Sequence, residues 1–136
     1  MITAVDSNVL LDVLGADPTF GPRSADALRT ALSEGQLIAC DVVWAEVSAS
    51  FDSPRAVQDA LSLLNLEFSP LSMEAAQEAG VAWKAYRARG GARTRVTADF
   101  LIGAHALCQA DRLFTRDRGF YRSYFKRLAI LDPTQS

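Results

Sequence analysis

The strongest constraint on this chain is its rhythm. Short apolar runs alternate with longer segments whose apolar residues recur at helical spacing. "ITAV" (2–5) reads as a short buried strand, and "SNVLLDVL" (7–14) follows with helical spacing. "GADPTFGP" (15–22) breaks that helix. "SADALRTALSEG" (24–35) predicts the next one, with Ser24 as its cap, apolar residues at 25, 28 and 32, and Gly35 at its end. "QLIAC" (36–40) is a second strand, and Asp41 is placed to cap the helix in "VVWAEVSASF". Ser53-Pro54 starts another helix, serine at the cap and proline in the first turn, running to about Leu64. "LEFSP" (66–70) is a third strand ended by Pro70. Ser72 opens a long helix to about Arg89, with Glu74 in its first turn, where an acid suits the dipole. "RGGART" (89–94) reads as a loop, and Thr97 as the cap of the helix in "TADFLIGAHA" (97–106). "RLFT" (112–115) and "LAIL" (128–131) are the last two strands, with a short helix between them. Strands alternating with helices predict a three-layer α/β/α sandwich around a mostly parallel five-stranded sheet.

A chain of 136 residues, 49% hydrophobic and 22% charged, suits one globular domain over 1–136. It has no repeat, low-complexity segment or linker. Cys40 and Cys108 form no C-x-x-C pair and have no suitably spaced partners for zinc, so both are expected as reduced thiols in buried segments. "MITAV" meets an acid without a basic region or long apolar stretch, and no apolar run approaches the ~20 residues of a membrane span. The expected location is cytoplasmic.

The net charge of −2 conceals an uneven distribution. Residues 1–83 hold three basic and twelve acidic residues, whereas 84–127 hold eleven basic and three acidic ones. Such asymmetry permits a polyanion-binding face on an acidic protein, although basic segments also solvate ordinary surfaces.

The carboxylates then fall into place. In open α/β sheets, sites form beyond the carboxyl ends of the strands. Asp6 directly follows strand one, and Asp117 comes two residues after strand four. Glu46 lies early in the helix after strand two, three and four residues from Val43 and Val42, and is expected to share their inward stripe. Asp99 lies in the first turn of the helix leading into strand four, on the same stripe as Ile102, Gly103 and Ala106. Unit charges about 4 Å apart repel by roughly 4 kcal/mol at an effective dielectric near 20. Carboxylates gathered in one pocket therefore take up protons or require a cation. Hard oxygen ligands favour Mg²⁺ or Mn²⁺, ions suited to phosphodiester hydrolysis. Each acid also has a plainer reading: Asp99 as a dipole partner, Asp6 and Asp117 as turn residues, Glu46 as a paired core acid. Their joint placement favours function.

These stretches resemble a known family, the PIN-domain ribonucleases, and especially the VapC-type toxins of toxin–antitoxin pairs. "AVDSNVLLD" looks like the family's opening strand with its acid, Asp6. "VVWAEV" resembles the second motif, with Glu46, and "TADFLIGAHAL" the third, with Asp99. "LFTRDRGF" resembles the fourth, with Thr115 and Asp117, and "LAILDP" the closing strand. Each motif alone is weak; four in order over nearly the whole chain are specific. The resemblance implies a Mg²⁺- or Mn²⁺-dependent endoribonuclease with Asp6, Glu46, Asp99 and Asp117 as metal-binding catalytic acids. Asn8 and Thr115 would be supporting polar groups. It further implies an RNA substrate, a cognate VapB-type antitoxin covering the acidic pocket, and a homodimer. Gly103 stands where the family more often has alanine, a change expected to loosen the helix slightly.

Other features stand beside these. Arg87, Arg89, Arg93 and Arg95 precede the Asp99 helix, either as RNA phosphate ligands or as a solvated helix end and loop. The aromatic residues of "DRGFYRSYFKR" (117–127) are read as packing anchors, with base stacking as the alternative. His105, six positions after Asp99, is expected to pack rather than ligate. Asp12 is left outside the pocket on a similar angular argument. A competing function is a non-catalytic RNA-binding or protein-interaction domain of the same fold. Intact acids at all four positions argue against it. A dehalogenase-type phosphatase would want Asp-x-Asp after strand one, where this chain has Asp6-Ser7-Asn8. A phospho-receiver would want an Asp ending strand three, which "LEFSP" lacks.

Overall fold

The computed structural model describes residues 1–91 and 97–134. Its elements are β1 (Ile2–Val5), α1 (Ser7–Leu14), α2 (Gly21–Glu34), β2 (Gln36–Ala39), α3 (Asp41–Ser48) and α4 (Pro54–Leu63). There follow β3 (Leu66–Phe68), α5 (Met73–Ala88), α6 (Thr97–Gln109), β4 (Arg112–Phe114), α7 (Arg118–Tyr124) and β5 (Ile130–Leu131). The five strands form one sheet in the order β3-β2-β1-β4-β5, and every adjacent pair is parallel. The expected α/β/α sandwich is therefore the observed fold.

Parallel strands need crossover connections, and those are right-handed. From β1 the chain steps twice in one direction, which puts α1 to α4 on one face of the sheet. It then crosses back to β4 and continues to β5, which puts α5, α6 and α7 on the other. Helix packing largely follows that division: α1 rests on α2 and α3, α5 packs along α6 and touches α7, and α3 meets α6 across the divide. Both faces of the sheet are thus covered. The central strands are accordingly apolar on both sides, with Ala4, Val5, Leu37, Ile38, Ala39, Leu113 and Phe114 all buried. The strand order reverses between β1 and β4, and the crevice beyond their carboxyl ends is the switch point of the sheet.

The starts of α4 and α5 follow their local chemistry. Ser53 Oγ accepts from Ala56 N and Ser72 Oγ from Ala75 N, each at 3.1 Å. Three expectations are corrected. Helix α2 begins at Gly21, because Asp17 Oδ2 accepts from the backbone of Thr19 and Phe20 and turns the chain into the helix early. Ser24 is then a buried position inside the helix, whose inward stripe includes Leu28 and Ala31 and leaves Leu32 37% exposed. Cys40, not Asp41, occupies the cap position of α3, and Asp41 is its first helical residue. Thr97 is likewise the first residue of α6, so the cap position preceding it lies outside the described residues, as do residues 92–94 of the 89–94 loop.

Both cysteines are free, Cys40 buried and Cys108 half-buried. Among the described residues no helix is long and apolar enough to cross a membrane.

Candidate active site

The crevice at the switch point is built around Asp6. The residue follows β1, and its backbone N–H still donates to Phe114 O of β4 at 2.9 Å, so the sheet itself fixes its position. Asp6 is 5% exposed and caps α1: Oδ1 accepts from Ser7 N at 2.7 Å. Oδ2 accepts from Thr115 Oγ1 at 2.8 Å, Tyr121 OH at 3.1 Å and Asn8 Nδ2 at 3.4 Å. Burial pushes the Asp6 carboxyl up to about 6. The donors from Thr115, Ser7 and Tyr121 pull it back, and the charge of Asp99 raises it again.

Thr115 directly follows β4 and is fully buried. Its hydroxyl donates to Asp6 and accepts from Asp117 N at 3.0 Å, so one side chain links two of the acids. Asn8 also reaches Thr115, at 3.4 Å, and its Oδ1 accepts from Arg116 N at 3.3 Å. Asn8 and Thr115 therefore stand where supporting polar groups would be needed.

The four acids are brought to the same edge, with unequal burial. Asp99, half-buried, sits in the first turn of α6; Ile102, Gly103 and Ala106 on its stripe are buried as expected. Asp117, half-buried, precedes α7 without capping it through its side chain. Asp6, Asp99 and Asp117 all act on the Tyr121 phenol, which burial and these charges push far above its ordinary range. Tyr121 therefore stays a proton donor among three carboxylates.

Glu46 departs from the expected inward stripe. Val43 and Val47 are the buried residues of α3, and Glu46 is exposed on the flank. At about 100° per residue it stands roughly 60° round the helix from Val43. From there it accepts from Ser7 Oγ at 3.0 Å, and the same hydroxyl lies 3.4 Å from Asp6 Oδ1. Ser7 thus connects Glu46 to Asp6.

Of the basic residues, Arg87 and Arg89 are exposed at the end of α5. Their guanidinium groups lie over the rings of Trp83 and Tyr124, 5.9 and 5.3 Å from the centroids. Arg93 and Arg95 lie outside the described residues. Phe120, Tyr121 and Phe125 are buried, as packing anchors should be. His105 is buried too, hydrogen-bonded to Ser69 Oγ at 3.0 Å, and burial lowers its pKa against the opposing charge of Asp41.

Two contributors were missed from sequence. Tyr121 reads from sequence as one of the aromatic anchors, although it follows Asp117, the residue at the cap position of α7, by four positions. Asp12 is held by Arg116 beside the pocket, a pairing that residues 104 apart in sequence give no local sign of.

The donor set fits a hard divalent cation. Every acidic donor is a carboxylate oxygen, and a buried carboxylate already opposed by a second one gains most from a cation. Among the described residues no group of three or more His, Cys, Asp or Glu side chains is placed to hold a metal ion. Magnesium needs no such group: it keeps several waters and takes one or two carboxylates with substrate phosphate.

An open parallel α/β sandwich with acids at its switch point defines the class of protein. Within that class the chain belongs to the PIN domain family, whose sequence model matches residues 3–126. No curated protein matches it. Its fold is similar to that of a chain in VapBC2 from Rickettsia felis bound to a promoter DNA fragment, with 18% identity and a TM-score of 0.77 over 97% of this chain and 98% of that one. VapBC-1 from nontypeable Haemophilus influenzae gives 17% and 0.74, over 99% and 100%. FitAcB from Neisseria gonorrhoeae gives 19% and 0.73, over all of both chains.

Proposed function

We propose that this protein is a Mg²⁺- or Mn²⁺-dependent endoribonuclease, the toxin of a toxin–antitoxin pair acting in the cytoplasm. The observation that carries the reading is Asp6: a buried carboxylate at the switch point, held by four residues and opposed by Asp99. Family membership and the toxin–antitoxin complexes that share the fold support it. By the same likeness, its partner is a VapB-type antitoxin; a second copy of the chain is the further partner that the family resemblance implies.

Asp6, Glu46, Asp99 and Asp117 would hold the ion, which supplies Lewis-acid activation of water and neutralises charge on the cleaved phosphodiester. Thr115 and Asn8 keep Asp6 in place, and Thr115 fixes the backbone of Asp117. Ser7 ties Glu46 to the same edge. Arg87 and Arg89, with Arg93 and Arg95, would hold RNA phosphates.

The test is cleavage of a pool of cellular RNAs by the purified protein. Cleavage is expected with Mg²⁺ or Mn²⁺ and is lost with chelator or in Asp6→Asn and Asp99→Asn. Activity that survives both chelator and these substitutions overturns the reading. Tight RNA binding without cleavage in any divalent ion would instead favour a binding domain.

A further inference from the structure

The two oxygens of Asp6 are treated differently by their surroundings. Oδ2 is shared by the hydroxyls of Thr115 and Tyr121 and, more weakly, the amide of Asn8. Oδ1 has one short donor, the backbone of Ser7, and lies on the side where Ser7 Oγ meets Glu46. A carboxylate has about four acceptor positions. Oδ2 takes donors from three residues, whereas both donors to Oδ1 come from Ser7, its backbone at 2.7 Å and its hydroxyl at 3.4 Å, on the side of Glu46.

Tyr121 is suited to hold this arrangement. Its side chain is 1% exposed, and its ring packs against Phe120 and Phe125 at centroid distances of 5.1 and 6.3 Å. It comes from α7, whereas Asp6 and Thr115 directly follow strands β1 and β4. If packing were its only task, a phenylalanine would fill the same place without bringing a hydroxyl that needs a partner.

We propose that Tyr121 is a positioning residue whose hydroxyl, with that of Thr115, pins Asp6 Oδ2 and so presents Oδ1 as the atom that meets the divalent cation. The inference rests on the metal-dependent reading above. It adds to that reading a residue outside the four acids and an assignment of which Asp6 oxygen works. The packed ring gives the hydroxyl a fixed place, so the carboxylate is oriented before any ion arrives.

The experiment measures Mn²⁺ binding by the spin-resonance signal of free Mn²⁺, for wild type, Tyr121→Phe and Tyr124→Phe. Thermal unfolding in chelator is followed alongside. Tyr121→Phe is expected to weaken Mn²⁺ binding about 10- to 100-fold, the range for losing a partner of a metal ligand. The Mn²⁺ needed for half-maximal RNA cleavage rises by the same factor, and saturating Mn²⁺ restores the rate. Tyr124→Phe leaves Mn²⁺ affinity unchanged. Unaltered affinity in folded Tyr121→Phe overturns the inference and leaves the nuclease reading standing. A wild-type protein that binds no Mn²⁺ overturns both. Should Tyr121→Phe not fold, 3-fluorotyrosine in the wild-type chain gives a second readout over its three tyrosines. The fluorine resonance of Tyr121 moves on saturation with Mg²⁺ more than those of Tyr86 and Tyr124, and a stationary Tyr121 signal overturns the inference.

Discussion

Arg116 grips Asp12 with two hydrogen bonds, Nε to Oδ2 at 2.6 Å and Nη2 to Oδ1 at 3.1 Å. The Asp12 side chain is only 9% exposed, and the guanidinium lies 4.0 Å above the Phe20 ring. One arginine between Thr115 and Asp117 thus ties the site to α1 and to the segment leading into α2. Arg116→Ala would leave a buried carboxylate unpaired and should lower stability by about 3 kcal/mol. The pair Asp12→Leu/Arg116→Met should recover most of that loss. Denaturant titrations of both proteins check this; equal destabilisation would show that the charge pair itself is not the cause.

Asp6 gives the protein a pH dependence of definite sign. Its carboxyl is raised from 3.8 to about 6 on folding, so the folded state binds the proton more tightly than the unfolded chain. Its contribution is therefore most favourable below pH 4 and declines as pH rises through 6, by about 3 kcal/mol. The stability difference between wild type and Asp6→Asn, measured in chelator from pH 4 to pH 7.5, should change by that order. On the nuclease reading, Mg²⁺ should raise the melting temperature more at pH 7.5 than at pH 5.

His105 acts in the opposite direction. Burial lowers its pKa below 6.5, so the unfolded chain takes the proton more readily. Stability contributed by neutral His105 is complete above the unfolded pKa and is lost as pH falls below it. His105→Gln should show a shallower loss between pH 6.5 and pH 5 than wild type. Equal slopes in denaturant unfolding would remove His105 from the account.

Gly103 was expected merely to loosen its helix. The structure gives it a different role: a Cβ there would come 2.5 Å from Cε2 of Phe125, a ring only 4% exposed. Gly103→Ala gains about 1 kcal/mol of helix propensity but forces a ring that has little room to move. Overpacking costs about 1–3 kcal/mol, so a net loss of stability is expected. A double-mutant cycle with Phe125→Leu should show favourable coupling. An additive result would mean the ring adjusts freely.

Arg89 offers a test of the substrate path. Its guanidinium is exposed and steadied on Tyr124, near the end of α5. If it holds a phosphate, Arg89→Ala should reduce the salt dependence of single-stranded RNA binding by about 0.7 in log–log slope. Binding measured with Asp6→Asn at several salt concentrations avoids cleavage. An unchanged slope would place RNA elsewhere.

Much of this protein was legible because its determinants are local. The strands show as short apolar runs, since a sheet covered on both faces buries both sides of each strand. Asp6 and Asp117 were placed by counting from strand ends, and Asp99 by its stripe of Ile102, Gly103 and Ala106. Glu46 lies off the core because the buried pair of α3 is Val43 and Val47, one turn apart, which leaves the position three after Val43 on the flank facing Ser7.

The sequence by itself determined the alternation of elements, and with it the parallel sheet and the edge at which the acids collect. Backbone hydrogen bonding and apolar periodicity act over a few residues, so both can be read from the chain. Only the tertiary structure decided which acid is buried, which oxygen of Asp6 is crowded, and that Tyr121 and Arg116 belong to the site. Those outcomes depend on side chains from β1, β4, α1 and α7 sharing one small volume. Desolvation and hydrogen bonding within that volume arise only once the crossovers are made.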